Sequence, residues 1–184
     1  MGSPLASASG MKLKRPKENP MQLKGKVWKY GENINTDVIL PGRWCHLYLE
    51  EDLAKHCLED LDPDFVKKAS PGDIIVAGKN FGCGSSREIA PLSIKAAKVS
   101  CVIAPSFARI FYRNAINLGF PIFESDECYQ KAESGDILEV DVASGVITNL
   151  TKKEKYSSTP FPEFMRMIIQ KGGLKGYISE KMKK

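Results

Sequence analysis

The chain has 184 residues, with 42% hydrophobic and 27% charged side chains, 15 Gly and 11 Pro, the composition of a folded globular domain rather than of a disordered or collagen-like one. Its net charge of +5 is local, because residues 1–29 hold seven Lys and Arg against one Glu and leave 20 basic and 21 acidic side chains in the rest. The body of the chain therefore lacks the basic footprint of a nucleic-acid binder, and no window reaches the ~18 consecutive apolar residues of a membrane-spanning helix.

Residues 1–20 are small, Ser-rich and basic, with Pro4, Pro16 and Pro20. They are expected to be a disordered tail, which we extend to residues 1–22. The composition suits either a cloning scar joined to a targeting remnant or a tail without function. Residues 23–184 should form a single domain. Strands are expected at 27–30 and 38–40 around a loop at 31–37. A helix follows at 50–61, with Leu53, Ala54, Cys57 and Leu58 on one face and Asp62-Pro63 as its stop. Pro71-Gly72-Asp73 turns into the apolar run 74–77, read as a buried strand. A glycine loop at 78–84 leads to a helix over 85–98, in which Pro91 either makes a kink or marks the start of the regular part. Residues 101–104 give a second buried strand. Ser106 then caps a helix striped by Phe107, Ile110, Phe111, Asn114 and Leu118 and ended by Gly119. The order strand, helix, strand, helix predicts a parallel pair with a crossover. A hairpin at 137–142 and 145–149 and a closing helix at 162–171 complete an α/β domain with added antiparallel strands.

Five cysteines, Cys45, Cys57, Cys83, Cys101 and Cys128, are odd in number and at least 12 residues apart, which argues against a disulfide framework. With no Cys-x-x-Cys pair and His46 and His56 ten apart, the chain offers no metal ligand set of its own. The segment richest in chemistry is Asn80-Phe81-Gly82-Cys83-Gly84-Ser85-Ser86-Arg87-Glu88. It follows a buried strand and opens a helix, so free amides and the Arg87 guanidinium favour a carboxylate or phosphate. It is neither a P-loop nor a dinucleotide fingerprint, since Arg87 stands where a third glycine belongs. Ser85-Ser86-Arg87-Glu88 also reads as a capping box, in which Ser85 only satisfies the Glu88 amide.

That segment, with Asn35-Thr36-Asp37-Val38-Ile39-Leu40-Pro41-Gly42-Arg43 before it and Ser106-Phe107-Ala108-Arg109-Ile110-Phe111-Tyr112-Arg113-Asn114 after it, resembles the isopropylmalate isomerase (3-isopropylmalate dehydratase) small subunits and the swivelling C-terminal domain of aconitase. The resemblance covers residues 25–178. It implies a swivelling β/β/α domain, three-layered and barrel-like, of the aconitase C-terminal domain type. It also implies interconversion of 2-isopropylmalate and 3-isopropylmalate by loss and re-addition of water, in leucine biosynthesis. The wording of Gly42-Arg43-Trp44-Cys45-His46-Leu47-Tyr48-Leu49 is plant-like, and with the Ser-rich basic tail it predicts a plastid location.

By the same resemblance Ser85 is the catalytic base, Ser86, Arg87 and Gly84 bind a substrate carboxylate, and Asp37 is an acidic active-site residue. An Asx turn is the alternative reading of Asp37. An alkyl hydroxyl is a poor base, so the start of the helix and the neighbouring amides are expected to stabilise the Ser85 alkoxide. Arg43, Trp44, His46, Leu47, Tyr48 and Leu49 form the loop in which relatives discriminate substrates. Its apolar members suit an isopropyl group, whose burial is worth about 2 kcal/mol. His46 falls where relatives carry a carboxylate-binding arginine, which leaves a polar side chain open. The chain itself binds no cofactor: the resemblance places a 4Fe-4S cluster on a large subunit, with which this chain forms a heterodimer. Longer 2-alkylmalates, a homoaconitase-like substrate and a non-catalytic anion-binding module are the competing readings.

Overall fold

The computed structural model describes residues 21–183. Residues 1–20, where the tail is expected, lie outside the described residues. The domain reaches further back than residue 23, because Gln22 already pairs with Asp141 in the first strand.

That strand, β1 (Gln22–Lys29), is the hinge of the architecture, pairing parallel to β2 (Ile74–Val76) on one side and antiparallel to β5 (Ile137–Asp141) on the other. Beyond β2 lie β3 (Cys101–Ala104) and β4 (Ile122–Glu124), both parallel; beyond β5 lie β6 (Val146–Asn149) and β7 (Glu154–Ser157), both antiparallel. The seven strands make one curled sheet in the order β4-β3-β2-β1-β5-β6-β7, so the fold is mixed α/β, as expected. Composition explains the division. Every residue of β2 and β3 is buried, as a parallel strand covered on both faces must be, whereas β5 alternates half-buried with buried positions, the pattern of a sheet with one covered face.

The helices fill the connections. Between β1 and β2 lie α1 (Thr36–Ile39), α2 (Glu50–Lys55) and α3 (Phe65–Lys68). Then α4 (Ile89–Ala96) joins β2 to β3, α5 (Arg109–Asn117) joins β3 to β4, and α6 (Asp126–Lys131) joins β4 to β5. At the end, α7 (Glu163–Gln170) and α8 (Leu174–Lys181) pack on each other and against α5. Phe65, Phe81, Phe120 and Phe123 are fully buried in the core.

Four expectations need correction. Residues 38–40 are not a strand: Asn35 Oδ1 accepts the Val38 amide at 2.8 Å and draws Val38 and Ile39 into α1, with Leu40 as its extended C-cap, so a cap overrides β-branched propensity. The helix expected over 50–61 stops at Lys55, and Leu58 takes a left-handed φ of +57° in the turns beyond it. The helix expected from Ser85 begins at Ile89, with Glu88 at its N-cap. Pro91 is then in the first turn, where its missing N–H is harmless. Ser106 does not cap α5; Ala108 holds that position, and the Ser106 hydroxyl accepts the Asn80 amide at 2.9 Å.

Candidate active site

Strands β1, β2 and β3 run parallel, so their carboxyl ends open onto one edge of the sheet, where α/β folds place ligands. The three loops leaving those ends are stitched together by backbone hydrogen bonds. The Gly78 amide reaches the Gly31 carbonyl, Asn33 reaches Lys79, Gly82 reaches Ile34 and Thr36 reaches Cys83, at 2.7–2.9 Å. On the other side the Phe81 amide bonds the Ser106 carbonyl and the Ala108 amide bonds that of Phe81. Two asparagines at left-handed φ, Asn33 and Asn80, join side chain to side chain at 2.9 Å. Gly82, at φ +76°, has no room for a side chain, because a Cβ there would lie 2.1 Å from the Phe111 ring.

This stitching sets the glycine-rich segment against α1. Thr36 is 1% exposed; its hydroxyl accepts the Ser85 amide at 3.0 Å and lies 3.0 Å from Ser85 Oγ, where either hydroxyl can donate. The next residue, Asp37, accepts a hydrogen bond and ion pair from the Arg87 guanidinium. Gly42 closes that corner, since a Cβ on it would meet both terminal nitrogens of Arg87 at 3.5–3.6 Å. Gly84, at φ +99°, leaves its pro-Cβ position 3.2 Å from the Thr36 hydroxyl. Asn114 of α5 donates to the Ser86 carbonyl at 3.2 Å and pins the far end. Among the described residues, the amides of Ser86, Arg87 and Glu88 have no acceptor, so three N–H groups next to the Asp37-paired Arg87 are left to serve an anion.

The arrangement departs from expectation in two respects. Ser85 is not at a helix start, and its own amide is spent on Thr36, so the axial dipole of α4 does not activate it. Nor does Ser85 cap the Glu88 amide; the capping-box reading is excluded. Thr36 went unnoticed in the sequence. Its signal was its place between Asn35 and Asp37, two residues already singled out.

The structure places the expected specificity loop in two parts. Its base is anchored to the turns after α2: Arg43 pairs with Glu59 and Asp60, and Trp44 stacks on His56 with ring centroids 3.6 Å apart while its indole N–H donates to Glu59. Burial pushes the Glu59 carboxyl up, but hydrogen bonds from His56, Trp44 and Arg43 outweigh it and hold the group below the ordinary range. Arg43 and Trp44 thus line a cleft of about 530 Å³ with Glu59 and Asp60. The rest of the loop projects. His46 is exposed and Leu47 half-buried, while Tyr48 and Leu49 are 91% and 66% exposed.

No three His, Cys, Asp or Glu side chains among the described residues converge on a metal site. Cys57, Cys101 and Cys128 are buried, and burial pushes the Cys57 and Cys128 thiols up to about 12. The donor set does not fit an iron–sulfur cluster.

Comparison with known proteins reaches the same region. The Aconitase C-terminal domain family matches residues 48–126. The chain is 61% identical over 158 residues to a 3-isopropylmalate dehydratase small subunit of Clostridium beijerinckii, covering 86% of this chain and 98% of that one. It is 58% identical over 164 residues to the namesake of Caldicellulosiruptor bescii, covering 89% and 99%. Among solved structures, a 3-isopropylmalate dehydratase of Methanocaldococcus jannaschii superimposes with a TM-score of 0.84 at 40% identity, covering 88% of this chain and 96% of that one. The plastid location is overturned by these relatives, which are bacterial at 56–61% identity. A short Ser-rich basic leader carries too little chemical information to specify an organelle.

Proposed function

The chain belongs to the family of 3-isopropylmalate dehydratase small subunits, and from that premise we propose how its residues take part in interconverting 2-isopropylmalate and 3-isopropylmalate by removal and re-addition of water. The activity is that of a hydro-lyase of leucine biosynthesis working with a large subunit. One observation carries the assignment of roles: consecutive residues of α1 each hold one working side chain of the glycine loop, Thr36 holding Ser85 and Asp37 holding Arg87.

In this reading Arg87 takes a substrate carboxylate in its planar fork, as a lysine could not. Asp37 and the bare flank of Gly42 fix the fork, and the Ser86 hydroxyl and the amides of Ser86, Arg87 and Glu88 complete the cradle with Gly84. Ser85 Oγ removes the proton from the carbon beside the one bearing the hydroxyl. Loss of that proton with hydroxide is loss of water. On rehydration the same oxygen returns a proton to the carbon that had carried the hydroxyl, so the two alcohols exchange. Tyr48, Leu49 and Leu47, presented by the anchored base at Arg43 and Trp44 beside His46, supply apolar surface for the isopropyl group. A carboxylate there would be desolvated without a partner, which disfavours a homoaconitase-like substrate. Longer 2-alkylmalates find no support in the relatives' names.

The 4Fe-4S cluster belongs in this reading to the large subunit, and the two chains form a heterodimer. The domain division, a tail ahead of the body and one domain behind it, is part of the same proposal. The test mixes the purified chain with a reconstituted large subunit and follows the absorbance of the unsaturated intermediate. Activity should require both chains and vanish with Ser85→Ala; activity of this chain alone, or of the Ser85→Ala complex, refutes the reading.

A further inference from the structure

We infer that Thr36 is the positioning residue that makes Ser85 a base, by donating its hydroxyl proton to the Ser85 alkoxide. The inference rests on the reading of Ser85 given above.

The Thr36 hydroxyl has one proton to give and accepts from the Ser85 amide at 3.0 Å. Its other neighbour is Ser85 Oγ, also at 3.0 Å. When Ser85 is neutral, either hydroxyl can donate across that distance. Once Ser85 has lost its proton only Thr36 can, and the bond becomes a charge-assisted O–H···O⁻ contact, shorter and stronger than the neutral one. Thr36 is 1% exposed, so water does not compete for its proton. The interaction is stronger in the ionised state than in the neutral one, the requirement for assisting catalysis rather than binding.

The position is held from several sides. The Thr36 amide bonds the Cys83 carbonyl at 2.8 Å, its carbonyl accepts the Leu40 amide at 3.0 Å, and Gly84 leaves room beside the hydroxyl. The same backbone ladder that aligns the two loops therefore fixes the Thr36–Ser85 distance. With α4 beginning only at Ile89, this hydroxyl takes over the stabilising part that a helix start at Ser85 would have played.

The experiment uses the assembled two-subunit enzyme with Thr36→Val, Thr36→Ser and Ser85→Ala in this chain. Thr36→Val should lower kcat by about 10²-fold, the effect of removing one oxyanion donor, with KM changed by less than about 3-fold. The kcat–pH limb that reports Ser85 ionisation should move to higher pH. Thr36→Ser keeps the proton and should restore most of the rate. A rate unchanged in Thr36→Val, equal losses in the Val and Ser variants, or a lowered rate with an unmoved pH limb overturns the inference. If the valine chain fails to assemble, Thr36→Cys, a weaker donor of similar volume, should show a smaller loss with the same displaced limb, and wild-type behaviour there overturns it. Should Ser85→Ala remain active, the functional reading itself falls; should Ser85→Ala be inactive while Thr36→Val is unimpaired, only the role of Thr36 falls.

Discussion

Substituting Gly82 by alanine tests whether the glycine loop is held by contact or merely by backbone preference. At φ +76° an L-residue incurs about 1–2 kcal/mol from the Cβ–carbonyl clash. The new Cβ would also lie 2.1, 2.4 and 2.5 Å from three Phe111 carbons. Phe111 cannot swing aside: it is 2% exposed, meets Phe81 edge-on at 5.3 Å and stacks with Phe107 at 6.3 Å. Overpacking of that kind adds about 1–3 kcal/mol, for a total of roughly 2–5 kcal/mol, or about 4–20 °C in Tm for a domain of this size. Gly135→Ala is the control, since φ there is +93° but nothing lies within 4 Å of the added Cβ; it should show the backbone cost alone. Denaturant unfolding of both variants measures the difference. If Gly82→Ala is no less stable than Gly135→Ala, the close approach of Phe111 does not hold the loop and the packing argument fails. Because Gly82 directly precedes Cys83, whose carbonyl orients Thr36, the same variant should also lose activity in the complex beyond what its folded fraction explains.

Arg87→Lys removes the planar fork that spans substrate and Asp37, and kcat/KM in the complex should fall by roughly 10- to 100-fold, mainly through KM, from the loss of a charge-assisted hydrogen bond worth about 1.5–3 kcal/mol; an unchanged KM would remove Arg87 from substrate binding. Stability should decline from about pH 9 upward. Burial keeps the Cys57 and Cys128 thiols protonated to about 12 in the folded chain, and the Tyr156 hydroxyl, also pushed up by burial, to about 12. The unfolded chain releases those protons earlier, so it binds fewer of them between pH 9 and 12 and unfolding becomes easier there. Urea midpoints at pH 8 and pH 10 check this, and equal midpoints contradict it. Leu49→Arg should cost the complex about 2 kcal/mol of transition-state binding for the isopropyl substrate, about 30-fold in kcat/KM, from the loss of burial of three carbons; an effect below about 3-fold places the isopropyl group elsewhere.

The parallel core was legible because its strands are short, wholly apolar runs bounded by turn residues. Residues 74–77 and 101–104 could hardly be anything else, and the hairpin around Ala143-Ser144-Gly145 announced itself by its turn. Strands β4 and β7 were not legible. Ile122–Glu124 offers only two apolar residues before a charged end, and Glu154–Ser157 begins with two charged side chains and carries one apolar residue; its pairing to β6, with Tyr156 opposite Ile147, decides it. Asn35 turned Val38 and Ile39 from an expected strand into a helical turn by a local cap, leaving Leu40 extended behind it. At the candidate site, the resemblance singled out Ser85, Arg87 and Asp37, but their contacts depend on a pairing between loops some fifty residues apart, which no local period encodes.

The delayed start of α4 ties these observations together. A helix running from Ser85 would have required the amide of residue 91 to reach the carbonyl of Arg87, and proline has no amide to give while its ring collides with that carbonyl. The Arg87 carbonyl instead accepts the Ala90 amide at 3.3 Å, and regular helix follows. Had the helix begun at Ser85, the capping box would have spent the serine hydroxyl as an acceptor for Glu88, the arrangement that favours stability and removes a base. Four residues of irregular chain cost some helix propensity, but they let the Ser85 hydroxyl face Thr36 and let Arg87 reach Asp37. The proline therefore serves the proposed site: it keeps a stabilising local interaction from competing with the longer-range contacts of Ser85 with Thr36 and of Arg87 with Asp37.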